Sequence, residues 1–280
     1  MGHEGHHCGS KSGSCSSGGS CHSKNEDARR EFLKNATTIT LGSWIMTLLP
    51  GMGSQDEPAA PAVETGDDGH SVPRFAFLID TAKCIGAGKC LAACRVENNV
   101  PEGYSRTWVE RFVHFKDGRV QVDLVPETGY SGSGLPIINE EEVEKAYFVP
   151  KLCNHCDEAP CNQVCPVHAS YTSPEGVELV DAEQCIGCAY CVQACPYGVR
   201  FMNPETNSAD KCTWCYHRIM KDESPACVEA CPTGARIFGR LDDPESEVSK
   251  ILAEVPTQVL KAHLGTKPKT LYVDLSGEVI

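Results

Sequence analysis

Hydrophobic positions along this chain fall in short runs, and these runs predict small elements of secondary structure. The apolar runs 75–79 and 177–180 each predict a short strand. A helix is predicted over 244–264, with an interruption at Pro256 because proline cannot continue the helical hydrogen bonding. Short helices mixed with short strands indicate an α+β fold.

A β-hairpin is predicted within residues 96–150. Apolar residues run through 109–115 and 120–125, on either side of the turn sequence Lys116-Asp117-Gly118. Because the whole segment separates two groups of cysteine residues, we interpret it as an insertion into the fold.

The N-terminal part of the chain carries the pattern of an export signal. Residues 28–34 contain the pair Arg29-Arg30 followed by an apolar doublet and a lysine, and the uncharged stretch 36–49 comes next. That stretch is too short to span a bilayer but has the length of a signal-peptide core. The pattern resembles a twin-arginine signal, which predicts a periplasmic protein that folds around its cofactors before export. The alternative is a chance arginine pair beside a short buried helix.

We therefore expect residues 1–62 to form a disordered leader with a signal peptide and residues 63–73 to form a linker. No other segment is long and apolar enough to cross a membrane, so no direct membrane span is predicted. The leader also holds a Gly/Ser-rich run whose role, disordered or metal-handling, stays open. Its cysteines and histidines are His3, His6, His7, Cys8, Cys15, Cys21 and His22.

Cysteine is the unusual feature of the composition. The chain has 280 residues and 18 cysteines, a density found in disulfide scaffolds and metal proteins. Apolar residues make up an ordinary 41%, but aromatic residues only 7%, which predicts a lean core. The formal net charge of −13 argues against nucleic acid or anionic lipid as partners.

Fifteen cysteines after the linker form four groups, and the groups repeat. The first and third groups match over 79–94 and 180–195 at a constant offset of 101, except that Ala87 stands where the third group has Cys188. The second and fourth groups also match, with a longer insert in the fourth, so the chain is a duplicated unit. The groups are Cys84, Cys90 and Cys94; Cys153, Cys156, Cys161 and Cys165; Cys185, Cys188, Cys191 and Cys195; and Cys212, Cys215, Cys227 and Cys231.

The spacing of the third group is that of bacterial ferredoxins. Its first three cysteines are separated by two residues each, the fourth follows after three more, and Pro196 comes next. The first three thiolates wrap one cluster, whereas the fourth is turned away and ligates the other cluster of a pair. Zinc uses isolated pairs of ligands, and disulfides need no such equal spacing, so both alternatives are weaker.

The number of cysteines indicates four clusters of unequal type. Three [4Fe–4S] clusters use all but three of the fifteen cysteines, and three is the number that a [3Fe–4S] cluster requires. We therefore predict three [4Fe–4S] clusters and one [3Fe–4S] cluster at the Ala87 site. The alternative is four [4Fe–4S] clusters, one of which has water or another non-cysteine ligand. Potentials depend on cluster type and charge, so the Ala87 cluster is expected to differ from the others.

Other side chains near the cysteines are expected to pack rather than bind iron. His155 and Trp214 lie inside the Cys-x-x-Cys pairs of the second and fourth groups. His168 and His217 follow cysteines closely, but near-cluster packing or surface exposure is favoured over iron ligation.

These motifs resemble the four-cluster iron–sulfur subunits of the dimethyl-sulfoxide-reductase superfamily, most of all the exported NrfC and DsrO types. The resemblance covers roughly residues 74–274 and implies two bacterial (2[4Fe–4S]) ferredoxin-like domains over 74–240. Residues 241–280 would then form a C-terminal docking tail. The stretches that carry the resemblance are CIGAGKCLAACRVENNVPEG, LCNHCDEAPCNQVCP, CIGCAYCVQACPYGVRF, DKCTWC and PACVEACPTGA.

The resemblance also implies how the groups combine. Each cluster takes most of its ligands from one group and its last ligand from another, and no catalytic residue is expected. The implied sets are Cys84, Cys90 and Cys231; Cys94, Cys212, Cys215 and Cys227; Cys153, Cys156, Cys161 and Cys195; and Cys165, Cys185, Cys188 and Cys191.

The function implied is electron transfer within a membrane-associated respiratory complex, not catalysis. The implied partners are an integral quinone-reactive subunit of the NrfD type and a multihaem cytochrome or a catalytic redox subunit, in nitrite or sulfur metabolism. The alternatives are a free, diffusible periplasmic polyferredoxin, a structural metal module, or a cluster-bearing hydratase or radical enzyme using an open iron at Ala87.

Overall fold

The computed structural model of the chain describes residues 74–130, 134–277 and 279. The predicted leader, signal peptide and linker lie outside the described residues. None of the helices in the described part is long and apolar enough to cross a membrane. The elements are β1 (Phe75–Asp80), α1 (Lys89–Glu97), β2 (Thr107–Phe115), β3 (Val120–Leu124), β4 (Val143–Leu152), α2 (Pro160–Gln163), β5 (Ser170–Thr172), β6 (Glu178–Val180), α3 (Tyr190–Ala194), β7 (Phe201–Met202), β8 (Ala209–Asp210), α4 (Tyr216–Ile219), α5 (Ala226–Glu229), β9 (Arg236–Arg240), α6 (Glu247–Glu254) and β10 (Thr270–Val273), with 3-10 turns at Glu140–Glu142 and Ala262–Leu264.

Strand β1 is the centre of the main sheet, which has the order β10-β1-β9. It pairs parallel with β10 and antiparallel with β9. Its sequence is apolar throughout because both of its faces are buried. Phe77 and Ile79 pack into the main core, whereas Leu78 packs on the other side with Val248 of α6. The strand predicted at 75–79 is therefore confirmed, as is the strand predicted at 177–180, which is β6.

The insertion forms a second three-stranded antiparallel sheet with the order β3-β2-β4. Strands β2 and β3 pair across the turn at 116–119, and β2 pairs along its whole length with β4. One face of β2 is buried: Val109 and Val113 are each 1% exposed. This face packs against the main core and so fixes the insertion to the cysteine-bearing loops.

The C-terminal segment 241–280 is integrated into the same compact unit as the cysteine groups. Helix α6 is capped by Ser246, whose Oγ accepts a hydrogen bond from the Ser249 N–H at 3.1 Å. The helix predicted over 244–264 is wrong in extent, because it ends at Glu254, just before Pro256. The chain then returns as β10, and a docking role for this segment stays a prediction.

Candidate metal centres

The structure gathers the fifteen cysteines around four cavities. Each cavity is bordered by one of the sets that the family resemblance implies, and we number the cavities by their order in the molecule. The first cavity is bordered by Cys84, Cys90 and Cys231; the second by Cys94, Cys212, Cys215 and Cys227; the third by Cys153, Cys156, Cys161 and Cys195; and the fourth by Cys165, Cys185, Cys188 and Cys191.

Short helices distribute the cysteines between neighbouring cavities. Helix α1 carries Cys90 in its first turn and Cys94 one turn later, so it serves the first and second cavities. The other three short helices have the same arrangement, with a third cysteine near the start and the fourth just past the end. The expectation that each fourth cysteine lies near the start of a helix is therefore wrong. A spacing of four residues rises about 6 Å along a helix, which separates the two thiols enough to reach different cavities.

The loops before α1 and α3 have the same backbone conformation. Gly86 and Gly88 have φ values of 64° and 70°, and their counterparts Gly187 and Ala189 have 70° and 60°. The left-handed conformation is thus tolerated by alanine in one copy. In the other copy a Cβ on Gly88 would lie 2.6 Å from the backbone oxygen of Glu127, so the close approach of the insertion requires glycine.

The insertion also covers the corner of the first cavity where a fourth cysteine is missing. The backbone N–H of Tyr130 donates to the Gly86 carbonyl at 2.7 Å, and Gly129 lies against the backbone of Ala87. Among the described residues that border this cavity there is no aspartate, glutamate or histidine; the one hydroxyl belongs to Thr233. The described side chains therefore offer no evident carboxylate or imidazole replacement for the missing thiolate.

Burial makes most of these thiols weak acids in the metal-free protein. It raises the pKa of Cys94 and Cys156 to about 12 and that of Cys212 well above its ordinary value. At Cys165 and Cys231 burial also acts to raise the pKa, but backbone N–H groups of the next few residues outweigh it and lower the pKa. Those N–H groups lie where they would stabilise negative charge on sulfur, as cluster ligation requires.

The donor set fits an iron–sulfur cluster better than a single ion or a disulfide. All fifteen cysteines in the described part are free thiols. No three or more Cys, His, Asp or Glu side chains within that part are grouped so that they could hold a single metal ion. Four cysteines around a cavity of ≈260 to ≈330 Å³ are instead arranged for a larger group. Ligation of iron by these cysteines stays a prediction from the sequence, and the geometry supports it.

Two buried arginines beside the cavities are residues that the sequence reasoning missed. Arg236 borders the first cavity and is 2% exposed, and Arg200 borders the third and is 4% exposed. Each is the fifth residue after a cysteine in the pattern Cys-Pro-x-Gly-x-Arg, beginning at Cys195 and Cys231. That repeated pattern was a signal by which they could have been found.

His155 and Trp214 pack against each other between the second and third cavities. Their ring centroids are 3.9 Å apart, and both side chains are almost fully buried. By contrast, His217 is exposed and pairs with Glu97 at 2.7 Å, and His168 is also exposed. None of the three histidines borders a cysteine cavity in the described structure.

Comparison with known proteins agrees with this geometry. Residues 144–241 match the family model described as a 4Fe-4S dicluster domain. The chain is 38% identical to a tetrathionate reductase subunit of Salmonella typhimurium over 257 residues, which cover 91% of each chain. It is 42% identical to the protein NrfC of Escherichia coli over 74% of this chain and 83% of that protein.

A third relative adds the cofactor to the name. The putative dimethyl sulfoxide reductase iron-sulfur subunit of Halobacterium salinarum is 39% identical over 71% of this chain and 79% of its own length. These relatives are iron–sulfur components of reductases and not their catalytic chains. We conclude that the chain belongs to the family of iron–sulfur electron-transfer subunits of the dimethyl-sulfoxide-reductase superfamily.

Proposed function

We propose that this protein carries electrons through four iron–sulfur clusters in a row, as a subunit of a membrane-associated respiratory reductase. It would relay them between a quinone-reactive membrane subunit of the NrfD type and a cytochrome or catalytic subunit of nitrite or sulfur metabolism. The observation that carries the proposal is the succession of four cysteine-lined cavities. Each bound cluster would supply one-electron redox chemistry, and the protein would set its position, potential and shielding from water.

Shared helices and packing support the order of the row. The first and second cavities share α1 and α5, and the third and fourth share α2 and α3, because each helix carries cysteines of both cavities. The second and third cavities meet at the His155–Trp214 stack, where each ring belongs to the loop between two cysteines of its own cavity. A linear row moves electrons from one end of the protein to the other.

The open corner at Ala87 supports a [3Fe–4S] cluster in the first cavity and [4Fe–4S] clusters in the other three. The cavity has three thiols, and no described carboxylate or imidazole borders it. The alternative, a fourth iron that binds water, keeps the same three cysteines and adds one iron. The two can be separated by iron content and by the magnetic state of the oxidised protein.

The two ends of the row support docking of partners. Cys188 is exposed at the fourth cavity, and next to it Ile186 and Tyr190 are 63% and 58% exposed. At the first cavity Ile85 is 55% exposed. Exposed apolar side chains beside a cofactor are typical of sites where another protein binds. A subunit docked at both ends is therefore favoured over a freely diffusing polyferredoxin, and the twin-arginine pattern in the sequence favours the periplasm.

Iron and sulfide analysis with electron paramagnetic resonance (EPR) tests the cofactors. We expect about fifteen irons per chain and a sharp near-isotropic signal in the oxidised protein that disappears on reduction. About sixteen irons without that signal would indicate the water-ligated alternative, and little iron would refute the electron-transfer proposal.

Membrane association tests the partners. An affinity-tagged chain isolated from its native cells in mild detergent should bring down a polytopic membrane protein, and its clusters should be reduced by added quinol. Isolation of the iron-loaded chain alone in the soluble fraction, unreduced by quinol, would favour the diffusible polyferredoxin instead. Immunoblotting of periplasmic and cytoplasmic fractions tests the predicted location.

A further inference from the structure

Arg236 and Arg200 are two buried cations with no carboxylate partner among the described residues. Each guanidinium has one hydroxyl neighbour: Nη2 of Arg236 donates to Thr107 Oγ1 at 2.9 Å, and Nη2 of Arg200 donates to Ser170 Oγ at 2.7 Å. Nη1 of both arginines has no hydrogen-bond partner. An isolated buried charge is costly, so its retention in the interior needs a compensating negative charge.

Cysteines of two neighbouring cavities surround each guanidinium. Burial alone would lower the pKa of Arg236, but the nearby thiolates, led by Cys90 and Cys227, outweigh it and raise the pKa. Cys90 borders the first cavity and Cys227 the second. Arg236 therefore lies between these two cavities.

Arg200 has the same place in the other half of the molecule. Its pKa is lowered by burial and raised more strongly by thiolates, first Cys161 and Cys153 and then Cys191. The first two border the third cavity and Cys191 borders the fourth. Each half of the protein thus has one unpaired cation between its two cysteine cavities.

The other buried cations in the described part are already engaged. Lys211 is 1% exposed, but its Nζ donates to the backbone carbonyls of Glu178 and Cys212. Arg111 is paired with the Asp123 carboxylate. Arg236 and Arg200 differ because their free N–H groups face the cavities where a cluster would add negative charge.

We infer that Arg236 and Arg200 are positioning residues for electron flow, each of which raises the reduction potentials of the two clusters between which it lies. This inference rests on the proposed function, since it requires clusters in the four cavities. When a cluster accepts one electron its negative charge grows by one, while its neighbour loses that electron. A fixed positive charge between the two stabilises the reduced form of either and weakens the repulsion between them. No proton is needed for this step.

Redox titration followed by EPR tests the inference on the iron-loaded protein. In Arg236→Met, which removes the charge and keeps an apolar chain of similar length, the reduction constants of two clusters should fall about tenfold. A tenfold change corresponds to about 59 mV for one electron. The matched variant Arg200→Met should shift the other two clusters by a similar amount. Because the two variants should affect separate pairs of titration steps, the clusters need not be assigned beforehand.

Conservative variants distinguish charge from packing. Arg236→Lys and Arg200→Lys keep the charge, so their potentials should stay close to those of the unmodified protein. If a methionine variant loses iron, the loss should be confined to two clusters and be restored by lysine. Unchanged potentials in both methionine variants would overturn the inference, as would equal shifts of all four clusters or equal iron loss in the methionine and lysine variants.

Failure of the inference is distinguishable from failure of the proposed function. If the unmodified protein contains little iron, the proposed function fails. If it carries its clusters and the methionine variants titrate like the unmodified protein, only the inference about the arginines fails.

Discussion

Replacing Ala87 with cysteine should convert the first cavity from a three-thiol site to a four-thiol site. Ala87 borders the cavity, and its counterpart in the other copy of the loop is Cys188. The flanking Gly86 and Gly187 have similar φ values of 64° and 70°, so the new side chain starts from a backbone like that of a native cysteine site. We expect Ala87→Cys to bind one more iron, from about fifteen to about sixteen per chain.

The magnetic state should change with the iron count. The oxidised unmodified protein should show about one unpaired spin per chain from its [3Fe–4S] cluster, and Ala87→Cys should show none. The matched variant is Cys188→Ala, which creates the same gap in the fourth cavity. It should contain about fourteen irons and show about two such spins per chain. Iron analysis and quantitative EPR of oxidised samples measure both numbers.

Reciprocity is the part of this experiment that can refute the reasoning. If Ala87→Cys keeps the oxidised signal at full intensity with iron unchanged, the missing thiol does not determine cluster type. If Cys188→Ala keeps its iron, a cube is stable in this protein with three cysteines. The water-ligated alternative at Ala87 would then be preferred.

Three further predictions concern stability, docking and iron removal. Gly88→Ala should destabilise the iron-loaded protein by about 2–4 kcal/mol, because it adds left-handed strain and a clash with the Glu127 carbonyl, whereas Ala189→Gly should change stability by less than about 1 kcal/mol; thermal bleaching of the clusters measures both, and equal effects would contradict the structure. Ile186→Glu should slow electron exchange with a membrane or soluble partner by about tenfold without loss of iron, and unchanged stopped-flow rates with both partners would exclude docking there. In iron-free protein the raised pKa of thiols such as Cys94, about 12 against 9.0 unfolded, contributes stability that is complete below pH 9 and is lost as the pH rises toward 12; the urea midpoint should therefore fall between about pH 8 and about pH 10.5, and a midpoint independent of pH would contradict the burial of these thiols.

Several features could be predicted from the sequence because they depend on neighbouring residues alone. The strand at 75–79 follows from an uninterrupted apolar run, and the end of α6 before Pro256 follows from the chemistry of proline. The helices after the third cysteine of each group were placed less well. Their fourth cysteines lie at the helix ends, since only a full helical turn directs two thiols to separate cavities.

The arginines could not be assigned a role from the sequence. Arg200 and Arg236 follow a repeated local pattern, but arginine is usually exposed, and nothing local indicates burial. Their burial depends on Ser170 and on Thr107 of the insertion, which is 129 positions away from Arg236. Long-range contacts of this kind are decided by the packing of the two sheets.

The sequence by itself determined the cysteine inventory, the duplication pattern and the missing thiol at Ala87, because ligand spacing is a local property of the chain. Only the tertiary structure decided which thiols share a cavity, why Gly88 cannot be the alanine found at Ala189, and where unpaired positive charge lies between the cavities. Each of these depends on segments distant in sequence that meet in space: α1 with α5, the insertion with the first loop, and β9 with β2. Such contacts form through burial of apolar surface shared by the whole core, which no short motif encodes.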